Sequence, residues 1–153
     1  MSAASDPSRQ QQLAAMEQRI NEMVQQSRIL EAYMNDIMTR QVTVTKLMDE
    51  ARLASTTIQS ISSDSETESL MPVGIGVYIK TTVLPIKKLL VNLGAGVAVE
   101  KSREDALNYV ESRIKEYDVA ARQLEAQRQE IAMRMEQTQA QINQMIKAAQ
   151  AQG

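Results

Sequence analysis

Apolar residues recur along the first part of the chain at alternating steps of three and four residues. Asp6 before Pro7 is typical of a helix N-cap followed by proline at the first helical position, and no Pro or Gly occurs from there to Leu70. Eleven of the fourteen positions on this walk are apolar. They are Leu13, Met16, Ile20, Met23, Ser27, Leu30, Met34, Ile37, Gln41, Val44, Met48, Ala51, Ser55 and Ile58. The pattern predicts one helix over about residues 7–60.

A second walk of the same kind follows Ser102, whose hydroxyl is placed to cap the backbone N–H of Asp105. Eleven of its thirteen positions are apolar. They are Leu107, Val110, Ile114, Tyr117, Ala121, Leu124, Arg128, Ile131, Met135, Thr138, Ile142, Met145 and Ala149. The walk predicts a second helix over about residues 102–150.

Both walks mark a narrow stripe with a period of about 3.5 residues, which is typical of the seam of a coiled coil. Two stripes of similar length on one chain predict that the helices fold back on each other antiparallel. Ile58 is then expected near Leu107 and Leu13 near Ala149, in a rod about 70 Å long at about 1.5 Å per residue.

The segment between the two walks has a different character. Residues 61–69 are mostly Ser, Thr, Asp and Glu, which predicts a linker. Residues 70–101 hold four of the five Gly and two of the three Pro, and apolar residues alternate at Val77/Ile79 and at Val97/Val99. This period of two is typical of half-buried β-strands.

A repeat at an offset of 20 residues aligns Val73–Ile79 with Leu93–Val99 and predicts two similar β-hairpins. We expect the paired glycines to supply positive φ angles in the two turns, and Pro85 to lie between the hairpins. These turn glycines are Gly74, Gly76, Gly94 and Gly96. The predicted fold is mainly α with a small β part, a long antiparallel coiled-coil hairpin with two β-hairpins between its helices, in a single domain over residues 1–153.

Composition narrows the possible functions. The chain has no Cys or His and only 3% aromatic residues, so nucleophilic triads, the usual metal sites and a large globular core are not expected. A net charge of −2 does not favour nucleic acid, and we find neither an apolar run for a membrane span nor a signal peptide at the start, which predicts a cytoplasmic protein. Carboxylate pairs such as Glu66/Glu68 lack the apolar surroundings of a catalytic acid, and the G-x-G pairs lack the third glycine of a dinucleotide loop. We expect no enzyme activity and no cofactor or metal.

The order helix, hairpin, hairpin, helix, with the run from Asn92 to Ser102 (NLGAGVAVEKS), resembles the alpha subunits of prefoldin over nearly the whole chain. The resemblance implies an ATP-independent co-chaperone, a cytoplasmic hexamer of two alpha and four beta-type subunits whose hairpins form a β-barrel platform. It also implies that the coiled coils project as tentacles, hold unfolded polypeptides at their tips and deliver them to a group II chaperonin. By position, the residues for subunit assembly are Leu70, Val73, Val77, Ile79, Leu90, Leu93, Val97 and Val99.

The expected register places a second group of apolar residues at the open end of the coiled coil, or on helix surfaces that should be polar. We predict that they bind unfolded protein, since frayed, Met-containing ends suit unlike partners. The group, the tip residues, is Leu13, Met16, Ile20, Met133, Ile142, Met145 and Ile146.

Three other interpretations stay open. The tip residues are also explained as ordinary coiled-coil core, and the assembly residues as hairpin faces that close on the chain's own helices. A structural or tethering coiled coil, dimerised by its hairpins, is the main competing function, and polar replacement of exposed tip residues would separate it from a chaperone.

Overall fold

The structure is a computed structural model and describes residues 6–61 and 63–152. Within them the element order is α1 Pro7–Ser60, β1 Thr67–Gly74, β2 Val77–Val83, β3 Lys88–Gly94, β4 Val97–Ser102 and α2 Arg103–Ala151. The predicted fold class, two long helices with two small antiparallel hairpins between them, is confirmed. The parts of our predictions that fall on residues 1–5, on Ser62 in the linker and on residue 153 lie outside the described residues.

Both helix starts have the caps that the sequence predicts. Asp6 Oδ1 accepts a hydrogen bond from the backbone N–H of Ser8 at 3.1 Å, and the Asp6 carbonyl accepts from Arg9 at 2.9 Å. At α2, the hydroxyl of Ser102 accepts from the backbone N–H of Asp105 at 3.1 Å. These bonds satisfy N–H groups that lack a partner inside the helix.

Burial along the helices follows the predicted seam. All fourteen α1 positions of the walk are buried or half-buried, and so are twelve of the thirteen on α2. The most buried apolar seam residues are Ile37, Met48, Ile58, Leu124 and Ile142. Arg128 is the exception: it is exposed, and its guanidinium pairs with Glu125 at 2.9 Å. A charged group at a seam position stays in water because burial would cost it its hydration.

The chain divides into two compact units. The first contains the described residues up to Thr43 and from Ala121 onward, and the second contains Val44–Ala120. In the first unit the amide of Gln41 donates to Glu125 at 3.0 Å, while Leu30 shares a groove with Thr138. Residue numbers therefore rise along α1 as they fall along α2, so the two segments of this unit are antiparallel.

The hairpins lie in the second unit and form two separate two-stranded antiparallel sheets. β1 begins at Thr67, so the predicted linker over residues 61–69 was too long at its end. Thr67 pairs with Val83 and Ser69 with Thr81, because the partner strand supplies backbone hydrogen bonds that the polar side chains do not reveal. Pro85 lies between β2 and β3, as predicted.

The two turns have the same backbone geometry. Gly74 and Gly76 have φ of 114° and 73°, and Gly94 and Gly96 have 95° and 76°, which confirms the predicted positive φ angles. The residue between each pair also has a positive φ, 50° at Ile75 and 51° at Ala95, which the sequence had not indicated. In both hairpins the pairing register shifts just before the turn, between Pro72 and Gly74 in β1 and between Asn92 and Gly94 in β3.

Candidate functional sites on the hairpins and helices

The strand registers sort the predicted assembly residues onto two faces. Ile79 lies opposite Met71, whereas Leu70 lies opposite Lys80. Direct partners share a face and neighbours along a strand alternate, so Leu70 is on the other face from Ile79 and Val77. The second hairpin repeats the arrangement, since Val99 lies opposite Val91 and Leu90 lies opposite Glu100. The eight predicted residues therefore do not form one surface.

All eight predicted assembly residues are exposed in the isolated chain, from 38% at Val99 to 71% at Leu90. The same surfaces contain exposed Met71 and Tyr78 and half-buried Val91, which sequence reasoning missed. Alternation along β1 and β3 would have found Met71 and Val91, because the offset of 20 residues aligns them with each other. A two-stranded sheet with apolar residues on both faces is marginal in water, so coverage of these faces would stabilise the hairpins.

Charge is absent from the turn ends of both hairpins. The segment from Ser69 to Ile79 contains no charged residue, and neither does the segment from Leu89 to Val99. Glu68 and Lys80 stand at the border of the first segment, and Lys88 and Glu100 at that of the second. The uncharged turn ends are therefore suited to an apolar contact, and the charged residues that flank them are suited to remain in water.

Arg103, a residue that sequence reasoning missed, joins the start of α2 to the end of α1. Its Nε donates to the carbonyl oxygen of Ile58 at 3.0 Å, and its second guanidinium nitrogen donates to the carbonyl of Gln59 at 2.9 Å. The last turn of α1 has no basic residue of its own, so Arg103 provides the positive charge that helix C-termini favour. The sequence did contain a hint of this role. A positive charge in the first turn of a helix is unfavourable next to the positive end of the helix dipole, so an arginine there is expected to bind an acceptor outside its own helix.

The seven tip residues all belong to the first compact unit, but they differ in exposure. Leu13, Met16, Ile20 and Met145 are half-buried in the seam. Ile142 is only 5% exposed, whereas Ile146 is 40% and Met133 60% exposed. Met133 and Ile146 therefore present apolar surface in this conformation, and Ile142 would do so only if the paired helices separated.

Further apolar side chains lie outside the seam in both units. In the first unit Ile29, Tyr33, Met38 and Val42 are more than half exposed. In the second unit Leu53 and Val119 are exposed to a similar degree.

A polar cluster lies on the seam of the first unit around Glu125. Its carboxylate accepts hydrogen bonds from Arg128 at 2.9 and 3.0 Å and from Gln41 at 3.0 Å. These donors favour the ionised form: they lower the pKa of Glu125 to about 2, and the same contact raises the pKa of Arg128. The Glu125 carboxylate is thus ionised at neutral pH.

Arg113, in the first half of α2, also has a shifted pKa. The guanidinium of Arg113 lies over the ring of Tyr109, and hydrogen bonds to Tyr109 and Glu116 raise its pKa. Among the described residues, no three or more His, Cys, Asp or Glu side chains are grouped so as to hold a metal ion. In the same part of the chain, neither helix has an apolar stretch long enough to cross a membrane.

Comparison with known proteins shows what this arrangement is similar to. The family model described as prefoldin subunit matches residues 8–148. A protein of Nitrosopumilus maritimus named prefoldin subunit alpha is 39% identical over 137 residues, which are 90% of this chain and 94% of that protein. A protein of the same name from Methanoculleus marisnigri is 32% identical over 70% of this chain and 81% of its own length.

The solved structures add the fold. A chain of the filamentous prefoldin of Methanocaldococcus jannaschii, determined by cryo-electron microscopy, matches with a TM-score of 0.62 and 24% identity, over 79% of this chain and 98% of that one. The family model spans most of the sequence and the relatives named alpha are archaeal. The chain therefore belongs to the prefoldin family, with archaeal alpha subunits as its relatives.

Proposed function

We propose that the chain is the alpha-type subunit of a prefoldin hexamer, which captures unfolded polypeptides without ATP and delivers them to a group II chaperonin in the cytoplasm. Membership of the prefoldin family supports the broader role of a chaperone. The observation that carries the proposal is apolar exposure in two places: on both faces of the hairpins, and outside the seam in the first compact unit.

The hairpins serve assembly in this proposal. Strands of other subunits would pair with the open strand edges of the hairpins and cover their apolar faces. Because the chain has two hairpins, it would make two contacts of this kind. We propose four beta-type subunits and a second alpha-type subunit as the partners.

The tip residues serve capture, with Met133 and Ile146 as the side chains that already present apolar surface. Burial of two or three such side chains yields about 5 kcal/mol at about 2 kcal/mol each, whereas association costs at least about 4 kcal/mol. One subunit alone would bind weakly. Several coiled coils acting on one polypeptide would raise the avidity by about 10² to 10⁴.

No nucleotide is needed for this mechanism, because release would follow from competition. The chaperonin would offer a larger apolar surface, and each weak contact would dissociate separately. No acid, base or metal group enters the scheme, and we propose no enzyme activity or cofactor.

A structural tether is the second candidate, and burial of Ile142 at 5% exposure favours it. A tether needs a continuous seam and tolerates polar residues on its outer faces. It would therefore assemble in the same way but hold no unfolded protein.

The decisive experiment mixes the purified chain with the matching beta-type subunit, measures the mass of the complex, and follows aggregation of a chemically unfolded protein without ATP. The test variant replaces Met133 and Ile146 by Ser. The matched control replaces Leu53 and Val119, which are 68% and 55% exposed in the other compact unit. Loss of suppression in the test variant alone supports the tip mechanism. A hexamer that suppresses nothing supports the tether.

A further inference from the structure

In the first compact unit the two seams contain two long polar side chains, and both of them bond the same carboxylate. Gln41 is a seam position of α1, and Arg128 is a seam position of α2. The amide nitrogen of Gln41 donates to Oε2 of Glu125 at 3.0 Å, and the guanidinium of Arg128 donates to the two oxygens of Glu125 at 2.9 and 3.0 Å. The other polar seam residues of this unit, Ser27 and Thr138, are short. We call Gln41, Glu125 and Arg128 the polar layer.

One bond of the polar layer crosses between the helices. Gln41 and Glu125 are 84 residues apart in sequence, whereas Arg128 and Gln129, which also donate to Glu125, are its neighbours on α2. The α2 donors orient the carboxylate, and the bond from Gln41 forms only where α1 places its amide at the same level. This bond therefore depends on how the two helices are aligned.

The rest of the seam in this unit distinguishes poorly between alignments. Five of its positions are methionine, an unbranched side chain that adapts its shape to different neighbours. They are Met16, Met23, Met34, Met135 and Met145. A slip by one heptad exchanges one set of seam contacts for another of the same kind. It would bring Glu125 to the level of Met34 in one direction, where no amide replaces that of Gln41.

We propose that the polar layer fixes the register in which α1 and α2 pair in the first compact unit, with Gln41 and Glu125 as the positioning residues. A polar side chain in a coiled-coil seam selects one register at a cost in stability. The inference goes beyond the proposed function and does not depend on it, because it concerns the pairing of the helices whatever they bind. Its consequence is local: the register decides that Ile142 is covered, at 5% exposure, and that Ile146 is open, at 40%.

The distance between two spin labels measures the register. The chain has no cysteine, so Asn21→Cys and Ala126→Cys create two unique attachment sites, both at exposed positions. Ala126 follows Glu125 directly, and Asn21 precedes Gln41 by 20 residues, about 30 Å along α1 at about 1.5 Å per residue. A slip by half a heptad or by one heptad should therefore change the distance by about 5 or about 10 Å. Pulsed electron paramagnetic resonance gives the distance distribution in the whole chain.

The test variant replaces all three residues of the polar layer by Leu. We expect a higher melting temperature than in the labelled parent chain, and a second distance population displaced by about 5 or about 10 Å where the parent shows one. The matched control, Ser27→Leu with Thr138→Leu, makes the same seam more apolar but keeps the polar layer, so it should show one distance. Gln41→Glu with Glu125→Gln exchanges the amide and the carboxylate, which allows a bond between the same two positions, and it should also show one distance.

Three results would overturn the proposal. One unchanged distance in the leucine variant would show that the apolar seam sets the register without the polar layer. A second population in the Ser27/Thr138 control would attribute the slip to added apolar surface. If the leucine variant does not fold, Gln41→Leu takes its place, since it removes only the bond between the helices. One unchanged distance in Gln41→Leu would then contradict the role of that bond, and a second population would support it.

Discussion

Arg103 is bonded to the last turn of α1 through the carbonyl oxygen of Ile58, 3.0 Å from its Nε, and through the carbonyl of Gln59. The backbone N–H of Arg103 also donates to the Lys87 carbonyl at the start of the second hairpin. One residue thus connects a helix end, a helix start and a hairpin within the second compact unit.

Replacement of Arg103 by Ala should lower the free energy of unfolding by about 1 to 2 kcal/mol, because two carbonyl groups lose a charged donor and return to water. Arg103→Lys keeps the charge near the helix end but loses the planar pair of donors, so it should recover only part of that loss. Urea denaturation followed by circular dichroism measures the differences. Equal stability of the Ala variant and the wild type would show that the two bonds contribute nothing net.

Glu125 predicts a specific pH dependence. Its pKa is lowered from an ordinary value of 4.5 to about 2, mainly by Arg128. A lowered folded-state pKa stabilises the fold above the unfolded-state pKa, and the contribution disappears as the pH falls from 4.5 towards 2. We expect Glu125→Gln to have a lower melting temperature than the wild type at pH 6, and the difference to shrink between pH 4.5 and pH 2.

The difference in melting temperature between Glu125→Gln and the wild type at each pH is the informative quantity. Asp36→Asn, which breaks an exposed pair with Arg40, is the control. A difference for Glu125→Gln that stays constant with pH would contradict the assignment.

Replacement by alanine should destabilise the first hairpin to different degrees at its two turn glycines. A Cβ added at Gly74 or at Gly76 meets no atom within 4 Å, so any loss of stability comes from backbone conformation alone. At Gly76 the φ of 73° is near the left-handed region that L-residues reach at a cost of about 1 kcal/mol. At Gly74 the φ of 114° lies outside that region, so Gly74→Ala should destabilise the hairpin more than Gly76→Ala. Hydrogen exchange in the first hairpin measures both, and equal exchange would contradict the prediction.

The seam predicts a contrast in packing on α2. Leu124 is 8% exposed, so Leu124→Ala should lower the free energy of unfolding by about 2 to 3 kcal/mol. Met133 is 60% exposed, so Met133→Ala should lower the free energy of unfolding by less than about 0.5 kcal/mol. Thermal unfolding of the two variants checks the contrast. If Met133→Ala proved as costly as Leu124→Ala, the side chain of Met133 would be part of a core and would be a poor candidate for binding clients.

The sequence was sufficient for the helices because a 3.5-residue period reports directly which side chains share a face. It also predicted the glycine conformations, since Gly-x-Gly between alternating apolar residues has few alternatives to a tight turn. The start of β1 at Thr67 was missed, because it depends on pairing with Val83, a contact between residues distant in sequence.

The candidate sites were harder to predict than the fold. Periodicity gives the apolar character of Leu70 and Ile79 but not the register that puts them on opposite faces. Arg103 looks like an ordinary first residue of a helix until the end of α1 is placed beside it. Ile142 and Ile146 are four residues apart in one helical segment, yet their exposure differs eightfold, 5% against 40%, because only one lies on the seam.

The separate pairing of β1 with β2 and of β3 with β4 has a consequence for the supply of this subunit in a cell. Each two-stranded sheet has two unpaired edges. A chain without partner subunits therefore has four unpaired strand edges beside uncovered apolar faces. Such a chain is prone to aggregate and to be cleaved by proteases. Overproduction without matching partners should therefore yield degraded or insoluble protein, so that partner abundance sets the usable amount.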